Sequence, residues 1–353
     1  MKKILFVNPG PFASLTDTYY YFLLMNQTYE LSYVGFDENR KINEIKGTKL
    51  IHIKGNSRSI LQKYRFFKEI NGLIKTNNYD LVFINYFLGC SFIRLISKIN
   101  MVLDIRTSYI IKSKIKRIIY NTILTIESHL FKNVTIISAG LKKQLHISPR
   151  AHILPLGATA LPLIKKDFTT LKIIYIGTFH ERNIVNTIFG FADFISKYNQ
   201  KYIAHYIIIG FGTEQEINNI KNAINLTKMN DFISFKGEVR YPELTKYLNE
   251  NNIGLSYIPL KKFFMNQPPT KTFEYLLSGN AVIATKTNEN KKIINGDNGI
   301  LIGETIEEIS LGLQHVYINR FNFNSQKIQQ ESLKYSWENI INKNLIPFLE
   351  EKS

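Results

Sequence analysis

The residues best placed to do chemistry lie between Asn266 and Thr285, where two prolines precede a helical pattern and a buried strand follows. Thr270 and Lys271 fall in the first turn of the predicted helix, where free backbone N–H groups attract anions. Glu274 lies one turn further on, where its carboxylate can accept hydrogen bonds from ribose hydroxyls. The stretch predicts a site for a phosphorylated ligand, and ordinary solvated side chains remain the alternative.

Two glycine turns in the same half of the chain each follow a predicted strand. Gly177 and Thr178 end the first of these strands, and Arg182 precedes a helical pattern. Glycine lets a ligand approach the backbone, and Arg182 adds a charge-assisted contact to a phosphate. Gly210 and Gly212 end the next strand, but the third glycine and the acidic residue of a dinucleotide fingerprint are absent. We exclude an NAD site there and leave structural turns open for both.

Three residues of the first half follow or end predicted strands. Gly10 lies in the loop after the first strand, and Asp104 and Arg106 end a later one. In doubly wound sheets such positions face the ligand crevice. We predict that Asp104 contacts a hydroxyl of a substrate and that Arg106 pairs with a phosphate. A local ion pair is the alternative.

Residues 110–123 form a basic amphipathic pattern. Apolar residues at positions 111, 115, 118, 119 and 123 share one helical face, and the basic residues occupy much of the rest: Lys112, Lys114, Lys116 and Arg117. Such a helix can lie on an anionic membrane, where each basic residue contributes about 1 kcal/mol. An ordinary domain helix with a solvated basic face is the alternative.

The charge distribution favours an anionic partner for the first half. The chain has 45 Lys+Arg and 28 Asp+Glu, a net charge of +17. Residues 1–157 hold 23 basic and 9 acidic residues, a net of +14, which leaves 22 and 19, a net of +3, for the remainder. A nucleic-acid-binding protein is one alternative, but no helix-turn-helix, zinc-ligand spacing or basic–aromatic platform is visible. The single cysteine, Cys90, excludes an intrachain disulfide, and we predict that it is a small buried apolar residue.

Short apolar runs alternate with helical patterns along the whole chain and predict parallel sheets covered by helices. A chain of 353 residues suits two such domains. A segment rich in proline, glycine and charge at residues 154–167 separates two series of strands, so we predict domains at 1–160 and 168–335. The last pattern predicts a helix over about 336–351, capped by Ser336.

The second half resembles the retaining glycosyltransferases of the GT-B family 4 type. The resemblance covers residues 170–350 and rests mainly on the pattern Pro-x-Lys-x-x-Glu-Tyr-x-x-x-Gly at Pro269–Gly279 before a Val-Ile-Ala strand. The segment from Phe235 to Val239 and the Ser336-Trp337-Glu338 start of the last helix add to it. It implies two Rossmann-like domains facing each other across a cleft, with the last helix crossing back to the first domain.

The resemblance also implies the roles of the site residues. Glu274 would bind ribose, Arg182 and Lys271 would hold the diphosphate, and Val239 would border the base. We expect catalytic contributions from Asp104, Arg182 and Lys271. The expected donor-binding residues are Gly10, Gly177, Thr178, Arg182, Gly210, Gly212, Val239, Asn266, Thr270, Lys271, Thr272 and Glu274.

The expected reaction follows from the same resemblance. A hexosyl group would pass, with retention of configuration, from a UDP- or GDP-sugar to a lipid-linked or glycan acceptor in surface polysaccharide synthesis. No metal or other cofactor and no nucleic acid is expected, and the protein would lie in the cytoplasm at the inner membrane face. Asn266 stands where the family often has Glu, and Thr178 where it usually has Arg. A non-catalytic relative of the fold therefore stays open.

Overall fold

A computed structural model describes residues 1–38, 45–56, 59–198 and 204–352. The chain divides into two compact units, one comprising Met1–Leu156 with Trp337–Ser353 and the other Gly157–Ser336. The sequence placed the division between residues 160 and 168, a few residues later than the structure does. Each unit is a parallel sheet covered by helices, as the alternating pattern predicts.

The first unit is built on a parallel sheet whose strands are almost entirely apolar. Within the described residues the strands are β1 (Lys3–Val7), β2 (Glu30–Phe36), β3 (Lys49–Ile53), β4 (Leu81–Asn85), β5 (Met101–Ile105), β6 (Asn133–Ile136) and β7 (His152–Ile153). Their order in the sheet is β3-β2-β1-β4-β5-β6-β7, and every pair is parallel. Helices must therefore cross between strands, and both faces of the sheet are covered.

The crossing helices of this unit are α1 (Thr16–Met25), α2 (Ile60–Thr76), α3 (Ser91–Ile96), α4 (Lys114–His129) and α5 (Ala139–Gln144). Serine side chains cap three of them, because Ser59, Ser113 and Ser138 each accept a hydrogen bond from a backbone N–H of the first turn. Cys90 is buried among the core residues on the α2–α5 side, as predicted, and burial raises the pKa of its thiol.

The second unit has a parallel sheet of the same kind. Its described strands are β8 (Leu171–Ile176), β9 (Ala204–Ile209), β10 (Ile233–Gly237), β11 (Ile253–Ser256), β12 (Ala281–Thr285) and β13 (Gly299–Ile302), in the order β10-β9-β8-β11-β12-β13. The helices are α6 (Ile184–Tyr198), α7 (Glu214–Leu226), α8 (Tyr241–Glu250), α9 (Thr270–Leu277), α10 (Asn290–Ile293), α11 (Ile306–Asn319) and α12 (Ser325–Ser332). Capping boxes fix the starts of α7 and α11 through Thr213 with Glu216 and Thr305 with Glu308.

The C-terminal segment belongs to the first unit. It comprises α13 (Trp337–Ile340), a π-helical turn (Ile341–Leu345) and α14 (Ile346–Lys352). Pro347 has no N–H to continue the ordinary helical bonding, which accounts for the π turn before it. Trp337 is 3% exposed, stacks on Tyr20 with ring centres 5.2 Å apart and meets Tyr21 edge-on. This segment therefore completes the core on the α1 side of the sheet.

No helix within the described ranges is long and apolar enough to cross a membrane.

The Trp337 contact should account for much of the stability of the first unit. We expect Trp337→Ala to lower its free energy of unfolding by about 3–5 kcal/mol, because a large aromatic side chain is lost from a packed core. Urea unfolding followed by circular dichroism measures this change. The control is Glu338→Ala at an exposed neighbouring position, which should change stability by less than about 0.5 kcal/mol. Equal effects of the two substitutions would contradict this account of the core.

Candidate functional site

The predicted residues of the second unit meet where the strand order of the sheet reverses. From β8 the chain crosses to β9 on one side, and β11, the other neighbour of β8, leads on to β12 and β13. In open α/β sheets the crevice outside the carboxyl ends of two such strands is where ligands bind. The loops after β8 and β11 and the first turn of α9 all lie at this edge.

Gly177, directly after β8, leaves space for the Lys271 side chain. Its φ is +147°, and a Cβ there would come within 2.9 Å of Lys271 Nζ and 3.5 Å of the Tyr175 hydroxyl. Its N–H donates to the carbonyl of Ile209, and the Tyr175 hydroxyl donates to the carbonyl of Thr178. A side chain at position 177 would displace the lysine, so glycine is required for a geometric reason.

Lys271 turns its ammonium into the protein. Its Nζ lies 3.9 Å from the centre of the Tyr175 ring, which supplies a cation–π contact. The Nζ is buried, and no described group is within hydrogen-bond reach of it. A buried cation without a hydrogen-bond partner is costly, which indicates a site kept ready for an anion.

Arg182 is held in a similar way. Its guanidinium lies 4.2 Å from the centre of the Phe264 ring, and one terminal nitrogen is buried without a hydrogen-bond partner among the described residues. The loop that carries Arg182 is strained, because Glu181 and Asn183 have φ values of +56° and +51°. An ion pair of 2.6 Å between Glu181 and Lys261 ties it to the loop after β11.

The three ionisable side chains of the site shift one another's pKa. Burial lowers the pKa of Lys271 well below its ordinary value, Arg182 lowers it further and Glu274 opposes the shift. Burial raises the pKa of Glu274, and Lys271 counteracts it. Burial also lowers the pKa of Arg182. The structure thus brings together the two cations and the carboxylate that the sequence singled out, in an environment that favours their neutral forms.

The other predicted residues of this stretch differ in accessibility. Thr270 is the first residue of α9 and partly buried. Asn266 is also partly buried, and its Oδ1 accepts a hydrogen bond of 2.9 Å from Asn288. Thr272 is fully buried, and its hydroxyl is shared with Ser256 and Asn290. We therefore correct its assignment, because its side chain joins α9 to the sheet and cannot contact a donor.

The second glycine turn supports the first. A Cβ at Gly210 would lie 1.8 Å from the carbonyl oxygen of Gly177, so the two turns touch through their backbones. Gly212 lies against Phe179, and Val239 is partly buried against the core. This close contact favours the alternative that Gly210 is needed for a structural turn. The donor roles of Gly212 and Val239 stay predictions.

Comparisons with known proteins indicate which family this unit resembles. Residues 170–318 match the family described as glycosyl transferases group 1. This unit is therefore similar to the group 1 glycosyltransferases over those residues. No match was found among proteins of curated function.

Solved structures with the same fold extend over the whole chain. Sucrose-phosphate synthase from Thermosynechococcus elongatus has a TM-score of 0.77 at 13% identity, with 99% of this chain and 98% of that one covered. A glycosyltransferase from Rickettsia africae gives 0.75 at 14% identity, with 99% and 98% covered. Anabaena HepE, in complex with UDP and glucose, gives 0.74 at 11% identity, with 99% and 100% covered. The chain has the GT-B fold of two Rossmann-like domains, as predicted.

The predicted polar residues of the first unit form an ion cluster outside residues 170–318. Asp104 is fully buried and accepts hydrogen bonds from Thr135 and Asn85. Arg106 lies 2.6 Å from Asp17 and 3.6 Å from Asp104, and it donates to the Leu154 carbonyl. These contacts are those of the local ion pair that was the alternative. The Asp104 side chain has no exposed surface, so its catalytic assignment is corrected to a structural role. Arg106 is only partly buried, and its predicted phosphate contact stays a prediction.

Burial raises the pKa of the Asp104 carboxyl to about 6, although Arg106 acts in the opposite direction. Burial by itself would lower the pKa of Arg106, but Tyr21, Asp104 and Asp17 together raise it. The cluster therefore keeps its charges by mutual pairing inside the sheet.

Gly10 also belongs to the first unit, and its carbonyl accepts a hydrogen bond of 2.8 Å from the Tyr33 hydroxyl. Its predicted donor contact stays a prediction.

The basic helix predicted in this unit is α4, and its outward face is apolar as well as basic. Lys112, Lys114 and Lys116 are exposed, whereas Arg117 is partly buried and donates to the Ile111 carbonyl. Ile115, Ile118, Ile119 and Ile126 are 71%, 54%, 50% and 61% exposed.

Several residues that shape the candidate site of the second unit were not found from the sequence. Tyr175 and Phe264 lie against the two cations, and the Tyr275 hydroxyl accepts a hydrogen bond of 2.8 Å from the Ile176 N–H. Tyr175 stands two residues before Gly177, and Tyr275 stands directly after Glu274. An aromatic residue close to a motif residue was therefore the only sequence signal for these two positions.

A larger cavity of about 540 Å³ lies along edge strand β13, away from all of these residues.

The cost of burying Lys271 should be measurable in the domain's stability. We expect Lys271→Met to raise the free energy of unfolding by about 1 kcal/mol, because it removes a buried charge without a hydrogen-bond partner. The folded-state pKa lies below the unfolded value near 10.5. The wild type therefore gains stability as pH rises through that window, and the advantage of the variant shrinks.

Urea unfolding at about pH 6 and about pH 9 tests this expectation. Lys262→Met, at an exposed lysine of the same unit, is the control and should change stability little at either pH. A variant less stable than the wild type at the lower pH would contradict the assignment.

Proposed function

We propose that the protein transfers a hexosyl group from a nucleoside-diphosphate sugar, UDP or GDP being the expected nucleotide, to a lipid-linked or glycan acceptor. The observation that carries the proposal is the buried Lys271 ammonium beside Arg182, since neither group has a full set of partners among the described residues. A diphosphate supplies the negative charge and the acceptor oxygens that both cations lack.

The donor's other parts have matching groups nearby. Glu274 lies one turn beyond the start of α9 and accepts hydrogen bonds from ribose hydroxyls when ionised. Lys271 favours that ionised form, because it lowers the pKa that burial has raised. Thr178 and Thr270 stand next to the diphosphate position, and Asn266 replaces a carboxylate with a neutral amide toward the sugar.

The chemistry requires the bond between the sugar's anomeric carbon and the diphosphate oxygen to break, with the electron pair leaving on the diphosphate. Arg182 and Lys271 stabilise that charge. The acceptor hydroxyl attacks the face that the diphosphate leaves and gives its proton to the departing diphosphate oxygen, so configuration is retained. We propose that no resident metal is needed, because these cations supply positive charge where a metal otherwise would. In the described residues no group of three or more His, Cys, Asp or Glu side chains could hold a metal ion.

For the acceptor side we propose that α4 contacts the inner face of an anionic membrane, as expected for surface polysaccharide synthesis. Exposed isoleucines at positions 115, 118, 119 and 126 repeat at helical spacing, and three exposed lysines flank them. Apolar side chains entering the interface and lysines facing lipid phosphates are the two contributions that hold an interfacial helix.

A panel of UDP-, GDP-, ADP- and dTDP-sugars tests the reaction class. We expect one donor to raise the melting temperature and to be turned over, and Glu274→Gln to weaken its binding at least about tenfold, because a hydrogen bond to a charged group is lost. Glu307→Gln, at an exposed carboxylate of the same unit, is the matched control and should bind normally. Binding without turnover by any acceptor would support a non-catalytic relative, and no binding would refute the proposal.

Vesicle sedimentation tests the membrane contact. We expect the protein to sediment with vesicles containing phosphatidylserine and much less with phosphatidylcholine alone, and added salt should weaken the binding. The double substitution Ile115→Asp with Ile119→Asp should abolish sedimentation, because charge opposes entry into the interface. Leu226→Asp, at a leucine 76% exposed on α7, is the control and should sediment as the wild type does.

A further inference from the structure

An apolar cavity lies at the carboxyl edge of the first unit's sheet. It has a volume of about 180 Å³ and is lined by Pro9, Phe36, Lys63, Phe66, Phe67, Phe87 and Leu88. Pro9, Phe36 and Phe87 stand at or just beyond the ends of β1, β2 and β4, where a doubly wound sheet binds its ligands. The cavity therefore occupies the usual ligand position, yet its described lining residues are apolar except for Lys63.

The walls of the cavity form a continuous aromatic cluster. Phe66 stacks on Phe36 with ring centres 5.1 Å apart, and Phe87 contacts both Phe66 and Phe67 at 5.8 and 6.1 Å. Phe67 also meets Phe92, whose side chain is 58% exposed. The aromatic surface therefore continues from the cavity to the outside of α3.

Among the described residues of this lining, Lys63 is the only ionisable one. It is exposed at the rim, and its side chain has no ion pair within the described part of the chain. A sugar acceptor needs hydroxyl-binding groups, and the other described lining residues are apolar. A hydrocarbon chain that ends in a phosphate matches both the apolar walls and the cation.

We infer that this cavity binds the hydrocarbon segment next to the phosphate of an amphiphilic phosphate, with the phosphate at Lys63. Apolar cavities of about 150 Å³ admit benzene, so one five-carbon isoprene unit or a short stretch of acyl chain fits, and the rest of the chain follows the exposed aromatic surface. That this molecule is the acceptor rests on the proposed function, and the acceptor is then lipid-linked. The binding of the amphiphilic phosphate itself does not depend on that function.

Calorimetric titration with farnesyl phosphate, below the concentration at which it forms micelles, tests the inference. We expect saturable binding of one equivalent, weaker binding of farnesol and none of inorganic phosphate. Leu88→Asp should weaken binding about tenfold or more, because a carboxylate replaces an apolar wall. Lys63→Gln should weaken binding of farnesyl phosphate several-fold and leave farnesol unchanged. Dodecyl phosphate in place of farnesyl phosphate distinguishes acyl-type from isoprenoid-type chains.

Matched variants separate the cavity from the general surface. Leu95→Asp changes an exposed leucine of α3 and Lys68→Gln an exposed lysine of α2, and neither residue lines the cavity. Binding that survives Leu88→Asp and Lys63→Gln, or that falls equally in the two controls, overturns the inference. If sugar nucleotides bind and farnesyl phosphate does not, the inference fails and the proposed function stands. If only farnesyl phosphate binds, the lipid site stands and the proposed function fails.

Discussion

The ammonium of Lys271 is buried against the ring of Tyr175, and the end of β8 is arranged to allow it. Position 177 must lack a side chain, and the Tyr275 hydroxyl accepts a hydrogen bond from Ile176, which fixes α9 to that strand. A buried charge with incomplete partners destabilises the empty protein. A bound diphosphate would supply the missing partners and remove that cost. The proposed donor would therefore bind more tightly by the amount that the unpaired charge destabilises the empty protein.

In the first unit, by contrast, the buried charges are paired with one another. Arg106 has Asp17, Asp104 and the Leu154 carbonyl as partners, so its charge is compensated within the cluster. Such a cluster fixes the carboxyl ends of strands and adds little net stability, although removing one partner would be costly. The features of this unit that we propose for an acceptor are therefore the aromatic cavity with Lys63 at its rim and the exposed face of α4.

Apolar runs and their spacing located both sheets, because buried parallel strands are continuously apolar. Among the described strands, the two-residue β7 is too short to leave such a pattern. Lys271, Arg182 and Glu274 could be singled out because each lies near a strand end or a helix start, and their donor roles stay predictions. Asp104 and Thr272 were misassigned for the same reason. A polar side chain at a strand end or helix start can bind a ligand or can pair with another buried side chain, and the sequence does not show which partner lies within reach. Tyr175 and Phe264 were missed because aromatic contacts depend on loops distant in sequence.

The position of the positive charge separates the roles of the two halves. The donor site that we propose uses two cations among the described residues, Arg182 and Lys271, whereas residues 1–157 carry a net charge of +14. The proposed donor binding does not account for that excess, which favours an anionic partner for the first unit. A nucleic acid would account for the charge but not for isoleucines up to 71% exposed among the lysines of α4. An interface that is anionic at its surface and apolar beneath accounts for both, and an acceptor drawn from that interface would reach the protein with its hydrocarbon chain still attached.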